Sequence, residues 1–172
     1  MKAAGDLPPY PAKGSRLSLD RSWLGLLQER GIGPFLPAEP EPPPDLARAV
    51  AQFNQGRYWE CHETLERIWL PERYPLRLFY HGLIKAAVGL LHLEGRNRRG
   101  ASLKLRDAAH TLAPFLPGFL GIDVASLHRD VAERLSLLGR GGSTDWEATD
   151  GLPRVQIIPT ARSPRAGGPP GL

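Results

Sequence analysis

A single cysteine, Cys61, stands among 172 residues, so neither an internal disulfide framework nor a cysteine-based zinc site can form. That usage fits a reducing compartment. Long apolar runs are equally scarce. The most apolar stretch, LIKAAVGLLHL at 83–93, is interrupted by Lys85 and is shorter than the about 20 apolar residues a bilayer crossing needs. It reads as a buried core helix, and no membrane is expected as a partner. The opening MKAAGDLPPYPAKG has no apolar run of secretory-signal length, so the expected location is the cytoplasm. A strong excess of one charge is missing too. The 22 Lys and Arg exceed the 18 Asp and Glu by only four, spread thinly along the chain, which is weak ground for nucleic acid.

Proline and glycine are plentiful, at 18 and 19 residues, and gather toward the two ends. The chain therefore divides into a proline-rich N-terminal segment (1–44), a helical domain (45–138) and a flexible C-terminal tail (139–172). The first segment holds one short helix at 23–30, stopped by Gly31, and then the extended run PFLPAEPEPPP. Within the tail, only VQII at 155–158 has the composition to lie as an extended segment against the domain.

Apolar spacing predicts an all-α bundle of about five core helices with antiparallel neighbours. Asp45 is the expected N-cap of the first, with Leu46, Ala49, Val50 and Phe53 inward and Gly56 at its close. The second covers 58–70 and ends at Pro71, with Tyr58, Cys61, Leu65, Ile68 and Trp69 as its stripe. The third, 76–93, is apolar on nearly every side and belongs at the centre. Asn97 is expected to cap the fourth, which Pro114 and Pro117 close, and Asp123 to cap the fifth, which ends before Gly139.

The sharpest local pattern is CHETLE. His62 and Glu66 are four apart, so they project from one side of a helix and could share a divalent metal ion. The string resembles the zincin H-E-x-x-H with Glu66 in place of the second histidine, and Glu63 would then be the base acting on metal-bound water. The sequence names no third ligand, though His81 or His92 on the third helix could supply it. Without one, His62 is a hydrogen-bonded boundary histidine and the glutamates pair with nearby arginines. The row His81, Lys85 and His92 either faces solvent or lines a polar pocket between the second and third helices, opposite Glu60, Glu63 or Glu66. The turn GRNRRGASLKLR places Arg96, Arg98 and Arg99 at a helix start, a natural setting for a phosphate. Aromatics for base stacking are not interleaved there. Arg57 and His62 also form R-x4-H, a common string that resembles the HEPN ribonuclease motif.

Together, FNQGRYWECHETLERIWL and FYHGLIKAAVGLLHLEGRNRRGA resemble domain-of-unknown-function family 309, a group of small helical proteins. The resemblance covers about 53–112 and falls on Phe53, Gly56, Tyr58, Glu60, His62, Glu63, Glu66, Trp69, Tyr80, Gly82, Asn97 and Gly100. This chain has His81 and Lys85 where the family often has glutamine, and Arg96 where it has glycine. The resemblance implies a helical bundle in which Tyr58, Glu60, His62, Glu63, Glu66, Tyr80 and Asn97 form one polar site; it supplies no substrate. Two functions stay open: a metal-assisted hydrolase, or a non-catalytic binding module for a phosphorylated ligand, nucleic acid or a protein partner. Homo-oligomerisation is open as well.

Overall fold

The computed structural model describes residues 40–72, 75–139 and 144–160. The short helix predicted at 23–30 lies outside the described residues. Helix α1 spans Pro44–Asn54 and starts one residue before the expected cap. Pro44 occupies the first turn, where its missing N–H is no loss and its fixed φ suits the helix. Asp45 therefore does not cap; its carboxylate lies in the first turn, against the positive end of the helix dipole. Leu46, Ala49 and Phe53 face inward as their spacing requires. Gly56, at φ +77°, then turns the chain into α2, Tyr58–Trp69.

Helix α3, Leu76–Glu94, is the centre of the bundle, buried on almost all sides because α2 and α4 pack on it. Glycines bring the α4 backbone close. A Cβ on Gly82 would lie 2.7 Å from Leu112 Cδ2, and one on Gly89 2.6 Å from Leu105 Cδ2. The end of α3 is a Schellman turn, with Asn97 N donating to His92 O (2.9 Å) and Arg96 N to Leu93 O (3.1 Å). Arg96 holds the left-handed position of that turn, at φ 56°. Glycine is the unstrained residue there, which gives a physical reason for a glycine in the related pattern.

Helix α4, Arg98–Leu112, begins at Asn97, whose side chain accepts from Gly100 N at 2.9 Å. A 3-10 turn at Ala113–Phe115 follows, then a small antiparallel hairpin, β1 Gly118–Phe119 and β2 Ile122–Asp123. The hairpin is not anticipated from sequence. It is held by Phe79, Phe115 and Phe119, whose ring centroids are 5.0–5.2 Å apart. Asp123 then caps α5, Val124–Leu138, through Ser126 N at 2.9 Å.

Composition predicts flexibility for 139–172, and the structure corrects this over 144–160. Helix α6, Thr144–Asp150, and the strap 151–160 lie on the bundle. Val155 and Ile157 enter the core as alternate residues of an extended segment, in line with the VQII expectation. Asn54 satisfies the strap backbone twice, accepting from Ile157 N at 2.7 Å and donating to Ile157 O at 2.9 Å. Further on, Ile158 O accepts from Asp123 N (2.8 Å) and Thr160 N donates to Gly121 O (2.8 Å). No helix among the described residues is long and apolar enough to cross a membrane.

Candidate ligand-binding site

On α2, His62 and Glu66 do share a face, with Nε2 3.3 Å from Glu66 Oε1. Each is the other's partner. With its proton on Nε2, the imidazole leaves the buried, unpartnered Nδ1 as an acceptor rather than an orphaned donor. Trp59, itself exposed, stacks on the ring at 5.4 Å. Glu63 points to solvent. Glu60 pairs with Arg57 at 3.1 Å, and the backbone N–H at the helix start, then Arg57, hold its carboxyl below the usual range. Arg57 and His62 thus have separate partners rather than a shared site.

The proposed third ligands sit elsewhere. His81 packs on Trp69 at the other end of α2, with ring centroids 5.1 Å apart. His92 lies at the start of α4, its Nδ1 3.2 Å from Asn97 Nδ2. Among the described residues no group of three His, Cys, Asp or Glu side chains is placed to hold a metal ion. The solvent-facing reading of the His81, Lys85, His92 row does not hold for its first two members. His81 and Lys85 are buried rather than solvated, and Lys85 donates to Thr111 Oγ1 of α4 at 3.1 Å. Tyr80 is enclosed as well, and burial pushes its hydroxyl up to about 12, so it stays protonated at neutral pH.

The arginine turn docks the C-terminal helix. Arg96 makes a two-pronged pair with Asp150, at 3.0 and 2.7 Å, and lies 5.0 Å over Trp146. Arg98 lies 5.7 Å from the same ring and donates to Leu138 O at 2.8 Å. Of the three arginines proposed for an anion, only the exposed Arg99 has no such described engagement.

The remaining polar groups meet in a cavity of about 440 Å³. Its walls are Tyr58 at the start of α2, Leu90, Leu93 and Glu94 at the end of α3, Arg134 of α5, and the α6–strap segment from Thr149 to Val155. Tyr58 reaches it because the Gly56 turn starts α2 directly over Phe53, on which the phenol packs edge-on at 5.3 Å. Burial, and then Glu94, raise the Tyr58 hydroxyl above its ordinary range, against a smaller downward pull from Arg154 and Arg134. Arg134 is only 4% exposed. Its guanidinium donates to Asp130 O at 3.2 Å and to Pro153 O, and its nearest carboxylate, Glu133, is 3.9 Å away on the exposed side. Burial lowers its pKa, against an upward pull from Asp130 and then Glu133. Arg154 lies flat on Gly56, where a Cβ would be 2.9 Å from Nη1.

The site expected around Tyr58, Glu60, His62, Glu63, Glu66, Tyr80 and Asn97 is thus dispersed, and of these only Tyr58 lines the cavity. Arg134 and Arg154 escape a search of local motifs. One signal does point to Arg134: Leu127, Val131, Arg134 and Leu138 are spaced four, three and four, which puts a guanidinium on an apolar stripe. Arg154 has no such signal.

Residues 46–103 match the model of a family described as a domain of unknown function, DUF309. A curated relative, an uncharacterized protein of Aquifex aeolicus (strain VF5), is 28% identical over 91 residues, covering 52% of this chain and 27% of that protein. The chain therefore spans about a quarter of that relative's length. No solved structure matches it.

Proposed function

We propose that this chain, whose residues 46–103 match the model of the DUF309 family of unknown function, is a non-catalytic binding module whose cavity takes a small ligand. The observation that carries this reading is the buried Arg134 guanidinium in the cavity wall, hydrogen-bonded to the backbone carbonyls of Asp130 and Pro153. A volume of about 440 Å³ falls within the range of small-molecule sites. Leu90, Leu93 and Leu152 offer an apolar side, and Tyr58, Arg134 and Arg154 a polar one. Binding at this place needs no bond to be broken and no metal.

The geometry favours this over a metal-assisted hydrolase on α2. His62 and Glu66 supply two ligands that pair with each other, and Glu63 points to solvent. Nucleic acid is disfavoured by the same turn that suggested it, because Arg96 and Arg98 are engaged with α6. The test is a ligand-observed NMR screen of small-molecule pools against the wild type and Leu93→Trp, which fills the cavity from the α3 side. Binders lost in the variant support the module. Pools that bind both proteins alike, or not at all, overturn it.

A further inference from the structure

We propose that the ligand carries a phosphate-like oxyanion, held by the guanidinium groups of Arg154 and Arg134 with the Tyr58 hydroxyl as third donor. This rests on reading the cavity as a ligand site. Its polar side is rich in donors and poor in acceptors. Arg154 has no ion-pair or hydrogen-bond partner among the described residues, and Tyr58 Oη has none either. Arg134 gives its hydrogen bonds to carbonyl oxygens, while Asp130 and Glu133, the latter at 3.9 Å, offset part of its charge. Of the two acids in the wall, Asp150 is neutralised by its two-pronged pair with Arg96, which leaves the exposed Glu94; Asp130 and Glu133 act on Arg134 from α5 itself, and no ion pair answers Arg154 among the described residues.

Guanidinium forks match a tetrahedral oxyanion geometrically, and a tyrosine hydroxyl can donate to its remaining oxygen. Two other features fit this assignment. Arg154 packs its guanidinium against Gly56, where a Cβ would stand 2.9 Å from Nη1. The strap contributes Arg154 and the bundle contributes Arg134 and Tyr58, so an anion between them would bridge the two and tighten strap docking. The apolar side along Leu90, Leu93 and Leu152 leaves room for the body of a phosphomonoester, beyond the bare anion.

Inorganic phosphate and glycerol phosphate are the probes, titrated into the whole chain at ionic strength held constant with sodium chloride and followed by amide and arginine Nε–H NMR. Shifts at Tyr58, Leu93 and Arg154 are expected, with glycerol phosphate tighter than phosphate. Arg154→Gln should bind roughly 10- to 100-fold more weakly, the effect of removing one charge-assisted donor pair, and Tyr58→Phe should bind about 3- to 10-fold more weakly. Unchanged amide spectra away from the cavity show that each variant is folded. Equal phosphate binding by Arg154→Gln, or shifts centred on the exposed Arg99, would overturn the assignment. Should neutral molecules bind the cavity while phosphate does not, the oxyanion inference falls and the cavity reading stands. If nothing binds there, both fall.

Discussion

Replacing Asn54 with aspartate exchanges one NH2 for one oxygen and should loosen the strap that walls the cavity. Asn54 Oδ1 accepts from Ile157 N at 2.7 Å while Nδ2 donates to Ile157 O at 2.9 Å. Asn54→Ala removes both bonds. At a net contribution near 1 kcal/mol each, with the part-buried Ile157 groups left to find water, the loss is about 2–3 kcal/mol. That corresponds to a fall in Tm of roughly 5–15 °C for a domain of this size. Asn54→Asp keeps the acceptor and sets a carboxylate oxygen against a carbonyl at neutral pH. The loss should be similar there, but it should shrink in acid, because the protonated carboxyl can donate where the amide did. The sign follows from linkage. The new carboxyl has a folded-state pKa above its unfolded value, so the folded state binds more protons, and stability rises as pH falls through that window. Thermal denaturation with hydrogen exchange at the Ile157 amide reads both effects. Wild-type protection of Ile157 in Asn54→Ala would refute the clamp.

Gly89→Ala gains about 1 kcal/mol of helix propensity and loses about 1–3 kcal/mol to overpacking. Its Cβ would stand 2.6 Å from Leu105 Cδ2 and 3.1 Å from Leu105 N, and the backbone atom cannot rotate away. A lower urea midpoint is expected; a higher one would mean that α3 and α4 separate more easily than their packing indicates. The Asp150 carboxyl is held below its usual range by hydrogen bonds from Arg96. Its contribution to docking α6 is therefore present above the unfolded pKa and lost as pH falls through the lower folded value. The Trp146 indole resonance should move toward its unfolded position on acidification, and Asp150→Asn should give that shift at neutral pH. Cys61 is fully buried and its thiol is pushed up to about 12 by burial, so an aromatic disulfide reagent should label it only at the rate of global unfolding. Rapid labelling of the folded protein would contradict its place in the core.

The helices were legible because their punctuation is local. Gly56, Pro71, Asn97 and Asp123 each act on the backbone within a turn, and α2 to α5 begin and end close to where those residues place them. The all-helical class follows from the same stripes, with Leu46, Leu65, Leu105 and Val131 all inward. The site was less legible for the opposite reason. CHETLE is a string of neighbours, yet its members answer one another locally, His62 with Glu66 and Glu60 with Arg57. The cavity instead joins Tyr58, Arg134 and Arg154, which come from three elements far apart in sequence. The burial of His81 and Lys85 is not legible locally either. Inside the bundle Lys85 donates to Thr111 of α4, and nothing near Lys85 in sequence announces Thr111. The strap was hidden by its composition: glycine and proline around it suggest disorder, while Asn54, about a hundred residues earlier, supplies the hydrogen bonds that fix it.

The most direct test of the central claim is amide chemical-shift mapping of the whole chain with the strongest binder from the small-molecule screen, repeated with zinc or manganese as the added species. Perturbations grouped on Tyr58, Leu93, Thr149 and Arg154 with the small molecule, and no stoichiometric metal response, are the predicted result. A saturable metal response centred on His62, Glu63 and Glu66, with the cavity residues unmoved by any small molecule, would contradict the account and return the function to α2.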